Sequence, residues 1–177
     1  CTSRSFGENV TDISSLRAAV ANFAAGSANK LRGQHSVASA VTVFVMSNRF
    51  RDDLSQYCNA LTMTLPVPTA DTIEITKAAL QIVDDIYREG ISYKKASVIL
   101  SNITADTAIQ QNLFDDIRNR PQRFELMNTI DRLNHRYGVK SIRLAVEGNG
   151  KQAWFSKSEH RSGNYISDIN EIMTINI

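Results

Sequence analysis

The chain has 177 residues, 42% of them hydrophobic, with only eight Gly, three Pro and a net charge of +2. That is enough for one good core or two small ones, and it excludes collagen-like, disordered and low-complexity classes. No apolar run is long enough for a transmembrane helix, no signal peptide is visible, and Cys1 and Cys58 cannot build a disulfide framework or a metal cluster, so a reducing cytoplasm is expected.

Cys1 to Phe6 is short and rich in Ser and Thr, an edge strand or a loop bounded by Gly7. Thr11 and Asp12 offer side-chain oxygens to start a helix. Ile13, Leu16, Val20, Phe23, Ala24, Ser27 and Leu31 then fall on one helical face, and Gly33 ends it. Val37 to Met46 is β-branched and aromatic, which predicts a central strand. A polar loop, Ser47 to Gln56, carries Arg49 and Arg51.

In Ala60 to Leu65, Leu61, Met63 and Leu65 alternate with Thr62 and Thr64, the pattern of a half-buried strand. Pro66 and Pro68 are expected to stop it. Asp71 with Glu74 three residues on predicts a capped helix start. Ile75, Ala79, Ile82, Val83 and Ile86 form that helix's apolar face, with Gly90 at its end. Tyr93 to Leu100 is the next strand, with Ala96, Val98 and Leu100 on one side and Lys95 and Ser97 on the other.

The order is β-α-β-β-α-β. This predicts an α+β, ferredoxin-like domain with two helices on one face of a four-stranded sheet. Its open face would display Thr62, Thr64, Lys95 and Ser97, a polar and mildly basic surface able to hold phosphates without reading bases. Ser101 to Thr107 reads as linker. Beyond it, Arg123 to His135 has helical spacing and Gly138 ends it. Ser141 to Val146 and Ala153 to Ser156 flank Gly148-Asn149-Gly150, which predicts a hairpin. From Arg118 to Arg161, ten Lys/Arg stand against four Asp/Glu. A phosphate-facing surface fits such a count, but from the count alone a merely solvated surface is the better reading. Three segments follow: a domain over 1–105, a linker over 106–118 and a small α+β module over 119–177.

These residues resemble a known family. Ser3-Arg4-Ser5-Phe6-Gly7 with Val10-Thr11 looks like the entry to the little-finger domain of UmuC-type Y-family translesion DNA polymerases, the family of the DNA polymerase V catalytic subunit. Tyr93-Lys94-Lys95-Ala96 looks like that domain's last strand. Gln110-Gln111-Asn112-Leu113-Phe114, of the form Gln-x-x-Leu-Phe, looks like the family's clamp-binding peptide. Leu126-Met127, Ile130-Asp131, Leu133-Asn134, Tyr137-Gly138 and Trp154 resemble its small terminal module. The stretch Ser162 to Ser167 departs from the family's usual ending.

The resemblance implies DNA gripping during SOS lesion bypass. The implied partners are a primer–template duplex held without sequence preference, a sliding clamp, a processed UmuD-like dimer and a recombinase filament, with no membrane. It places no catalytic residue here: the palm, with its magnesium-binding carboxylates, would precede Cys1 in a longer protein, and this chain would carry no cofactor. Ser3, Arg4, Ser5, Arg49, Arg51, Lys94, Lys95 and Ser97 are the phosphate-contact candidates, expected together on one sheet face and its adjoining loops. Gln110, Gln111, Asn112, Leu113 and Phe114 are the clamp-contact candidates, an apolar pair plus a rim amide suited to a shallow pocket.

Plainer readings stand beside these. Leu113 and Phe114 can pack on the preceding domain, and Trp154 and Phe155 can form the small module's core. Asp52-Asp53, Asp84-Asp85 and Asp115-Asp116 are adjacent pairs whose side chains diverge, so no metal is expected. His35, His135 and His160 lie too far apart in sequence to suggest a zinc site or a nucleophile's base. Two other identities remain. A DinB-type polymerase would end near the clamp peptide. An unrelated ferredoxin-like RNA-binding module would show aromatic residues on its central strands.

Overall fold

The computed structural model describes residues 1–107, 109, 119–149, 152, 154–155 and 162–163. Four strands are interleaved with two long helices: β1 (Thr2–Val10), α1 (Ile13–Gly33), β2 (Ser36–Ser47), β3 (Cys58–Thr69), α2 (Thr72–Ile86) and β4 (Tyr93–Ala105). The strand order is β1-β4-β2-β3 and every neighbouring pair is antiparallel. The two strands that follow the helices hold the centre, and β1 and β3 are the edges. This is the α+β, ferredoxin-like arrangement expected from the sequence.

The core lies between the helices and one face of the sheet. Leu16, Val20 and Phe23 of α1 and Ile75, Ile82 and Val83 of α2 meet Val41, Val43 and Val45 of β2 and Ala96 and Val98 of β4, all almost fully buried. Burying one such side chain stabilises by about 1.5–3 kcal/mol, so this layer dominates the fold's stability. Both helix starts are capped by carboxylates. Asp12 accepts from the Ser15 N–H at 2.7 Å, and Asp71 from the Ile73 N–H at 2.7 Å.

Several elements depart from expectation. β3 runs through Pro66 and Pro68 to Thr69. It is an edge strand, and its register against β2 shifts between Thr64 and Thr69, where a residue without an N–H costs no ladder bond. Helix α2 ends at Ile86, where the Tyr87 N–H reaches Val83 O, and Gly90 sits in the following turn at φ +80. β4 continues to Ala105 because β2 offers partners as far as Ser36, so Ser101 to Ala105 is strand and not linker.

Helix α3 (Arg120–Tyr137) begins three residues before the apolar spacing suggested and ends at Gly138, φ +106. The first flank of the expected hairpin, Ser141 to Val146, is not a strand but leads into a short 3-10 turn, Ala145–Glu147, and the second flank lies largely outside the described residues. The Glu147 side chain accepts from the Leu144 N–H at 2.9 Å, which favours a tight turn over an extended strand. Trp154 does not found a separate core. It is buried against Phe23 of α1, with ring centroids 5.7 Å apart and edge-on.

Among the described residues, α3 is fastened to the helix layer by several ion pairs. Asp131 of α3 takes both Arg32 Nε (2.6 Å) and Nη2 (2.8 Å). Arg123 Nε donates to Asp71 at 2.6 Å, and Arg120 pairs with Glu74. Glu74, which the sequence suggested as the reciprocal half of a capping box, is thus used to hold α3. Its burial pushes its proton affinity up, and the Arg120 guanidinium opposes that.

Candidate nucleic-acid interface

The face of the sheet away from the helices is open. Strand pairing sets its rows: Ser3, Ser97, Phe44 and Ala60 lie across the four strands, and Ser5, Lys95, Met46 and Cys58 form the next row. Ile99, Thr42 and Thr62 follow, then Ser101, Ala40 and Thr64. Thr42 and Thr62 share a hydroxyl hydrogen bond of 2.8 Å. No position in these rows carries a carboxylate. The face offers hydroxyls, one ammonium and small apolar patches, which suits backbone contact better than base reading.

The eight phosphate-contact candidates do not form one group. Ser3, Ser5 and Lys95 lie together on the open face. Ser97 shares that face but is only 5% exposed, between Ser3 and Phe44, so the sequence expectation of a displayed hydroxyl there is corrected. Lys94 turns to the edge of the sheet, where its ammonium donates to the Phe6 carbonyl at 2.6 Å. That contact ties down β1 where its register with β4 shifts between Ser5 and Val10. Arg51 is held by Asp53 at 2.5 Å, which also keeps that exposed carboxylate more acidic than usual. Arg49 has no carboxylate partner among the described residues and reaches only Cys58 Sγ, at 3.5 Å. Arg4 pairs opposite the buried Ala96 and so leaves the strand on the helix side.

Three features of this surface were not read from the sequence. Phe44 and Met46 stand on the open face of the central strand β2, half-buried. The alternation Thr42, Phe44, Met46 against Val41, Val43, Val45 carried that signal. It bears on the RNA-binding alternative, because one aromatic does occupy a central strand. The third feature is Phe50, at the tip of the β2–β3 loop and 96% exposed. The loop is braced by Gln56 Nε2, which donates to the carbonyls of Asn48, Arg51 and Leu54. The clamp-contact candidates Gln110, Gln111, Asn112, Leu113 and Phe114 lie outside the described residues. Among the described residues no three His, Cys, Asp or Glu converge as metal ligands, and no helix is long and apolar enough to cross a membrane.

Residues 1–113 match the C-terminal domain of the impB/mucB/samB family. The chain belongs to the impB/mucB/samB family. A second match, over residues 125–175, is to a domain of unknown function, DUF4113. The chain is 36% identical to Protein UmuC of Salmonella typhimurium over 173 residues, covering 98% of this chain and 41% of that protein. It is also 36% identical to Protein ImpB of Salmonella typhimurium over 170 residues, covering 96% of this chain and 40% of that protein. Against Protein MucB of Escherichia coli it is 36% identical over 146 residues, covering 82% of this chain and 34% of that protein. The chain thus spans about two-fifths of the length of the first two of these relatives, and it corresponds to a UmuC-type C-terminal region.

Proposed function

We propose that this chain is the DNA-gripping and clamp-tethering region of an error-prone translesion DNA polymerase acting in SOS mutagenesis in the bacterial cytoplasm. The observation that carries the reading is the open sheet face. In a domain of this family, the rows bearing Ser3, Ser5, Lys95, Thr42, Thr62 and Thr64 contain no carboxylate. A phosphate backbone approaching that face meets hydroxyls and the Lys95 ammonium, with Arg49 on the adjoining loop. Such contacts position a duplex without reading its sequence. The chemistry, with its magnesium ions, belongs to a palm outside this sequence, and this region contributes position.

The segment Gln110 to Phe114 supplies the tether. A leucine–phenylalanine pair with a nearby glutamine suits a shallow apolar pocket on a sliding clamp, where few anchors carry most of the energy. Tethering raises the local concentration of the polymerase at the primer end without any new contact to DNA. A UmuD-like dimer and a recombinase filament are the further partners of this reading.

The test is fluorescence anisotropy of the chain with primer–template duplexes of two unrelated sequences. Equal affinity for both, falling steeply with salt, is expected. A strong preference for one sequence, or for single-stranded RNA stacked on Phe44, would overturn the reading in favour of an RNA-binding module.

A further inference from the structure

Three cations meet on the helix side of the β1 edge, brought there from opposite ends of the chain. Thr2 faces inward and shares a 2.8 Å hydroxyl hydrogen bond with Ser27 of α1. Because β1 enters α1 through a short turn, the two run in opposite directions. The next inward residue, Arg4, therefore leaves the strand toward the preceding part of α1, close enough to Lys140 for its charge to be felt there. Lys140 arrives at the same place from beyond α3, its ammonium donating to Asn22 Oδ1 at 2.9 Å. Arg143 follows three residues later, its guanidinium donating to Asn149 Oδ1 at 2.7 Å.

All three residues are exposed as a whole, though the Lys140 ammonium is partly desolvated, and the hydrogen-bond partners of Lys140 and Arg143 are neutral amides. Among the described residues, Glu147 is the carboxylate whose charge supports Lys140. It is 4% exposed and accepts from the Leu144 N–H, and burial raises its own proton affinity, so one buried carboxylate stands against three cations. Lys140 feels the crowding. Burial lowers its proton affinity most and Glu147 opposes this, while Arg143 and Arg4 both add to the lowering. Its backbone is also held at φ +68, a left-handed conformation uncommon outside glycine. The turn behind it is secured by Ser141, whose N–H and hydroxyl both donate to Gly138 O. The turn thus fixes Lys140 on Asn22, among two further cations and one buried carboxylate.

We propose that Arg4, Lys140 and Arg143 form a phosphate-contact site shared between the edge strand β1 and the region after α3. The proposal rests on the DNA-gripping reading and assigns part of the grip to the stretch that matches the domain of unknown function. A nucleic-acid backbone is favoured as occupant by continuity. Among the described residues β1 is an edge strand paired with β4, so it forms the rim between the open face and the helix side. Ser3 and Ser5 leave it toward the open face and Arg4 toward the cluster, so one phosphate backbone running along that edge touches both.

The experiment compares the 177-residue chain with Lys140→Gln/Arg143→Gln, with Arg4→Ala, and with the open-face control Lys95→Ala/Arg49→Ala. Each is titrated with a fluorescein-labelled duplex over a salt series, with circular dichroism to confirm the fold. Two lost phosphate contacts should weaken low-salt binding by roughly ten-fold and lower the salt slope by about two, and Arg4→Ala should lower the slope by about one. Unchanged affinity and slope in the cluster variants, with a weakened open-face control, would overturn the shared site while leaving the open-face grip standing. Loss of binding to a hexaglutamate peptide in place of DNA would overturn it in favour of an acidic protein partner. A wild-type chain that binds no duplex would remove both this site and the reading beneath it.

Discussion

Replacing Asp131 by alanine tests how the region after β4 is held. The Asp131 carboxylate receives a two-pronged bond from Arg32 and a third bond from Asn29 Nδ2 at 2.9 Å. The Arg32 side chain is only 7% exposed and Asp131 is 25% exposed. Removing one partner of a buried pair costs about 3–5 kcal/mol because the other charge is stranded. Arg32 would not be wholly stranded, since its Nη1 also donates to Ala70 O at 2.6 Å and to Thr72 Oγ1 at 2.9 Å. Partial exposure of Asp131 trims the cost further. A loss of about 2–3 kcal/mol is therefore expected, or roughly 4–12 °C in melting temperature for a chain of this size. Urea unfolding followed by fluorescence is the assay, because Trp154 is the only tryptophan and lies against Phe23. The emission should report loosening of the terminal region, and its transition should move to lower urea before that of far-ultraviolet circular dichroism. A change under about 0.5 kcal/mol, the range of an ordinary surface substitution, would refute the idea that this pair fastens α3.

Asp71→Ala removes both the cap of α2 and the partner of Arg123. A loss of about 2–3 kcal/mol is expected from the cap and the pair together, measured by the same unfolding assay. Glu147→Gln should behave oppositely. Burial raises the folded-state proton affinity of Glu147, so ionised Glu147 weakens the fold as pH rises through and above the normal glutamate range. The glutamine variant, which keeps an oxygen for the Leu144 N–H, should be the more stable at neutral pH, with the gap closing at acid pH where Glu147 is protonated. Stability measured from pH 4 to pH 8 checks the sign. Leu113→Ala with Phe114→Ala should abolish measurable binding to a sliding clamp while leaving the circular dichroism spectrum unchanged. Undiminished clamp affinity would remove the tether from the account.

Much of the fold is legible in the sequence because burial imposes a period. The residues Leu16, Val20, Phe23, Ala24, Ser27 and Leu31 mark the buried side of α1, and Val41, Val43 and Val45 that of β2. Where burial is one-sided or absent, the period fades. Pro66 and Pro68 look like a stop until β3 is known to be an edge. Ser101 to Ala105 looks like a linker until β2 is known to offer partners along that length. The site suffers most from this. In Thr2 to Ser5 no apolar alternation tells which side Arg4 takes, and only the pairing of Arg4 with Ala96 settles it. Lys94 and Lys95 are adjacent and chemically alike, yet a local register shift sends one to the Phe6 carbonyl and leaves the other on the open face. Trp154 reads as the centre of a small core because its partner, Phe23, is more than a hundred residues away.

The most direct test of the account is the salt dependence of duplex binding by the chain carrying Lys95→Glu and Arg49→Glu, set beside the unaltered chain. If the open face holds phosphates, reversing its one ammonium and the guanidinium of the adjoining loop should weaken low-salt affinity by at least ten-fold and lower the salt slope by about two, with the melting temperature held. Affinity and slope equal to those of the unaltered chain would contradict the account and move the nucleic acid off this face.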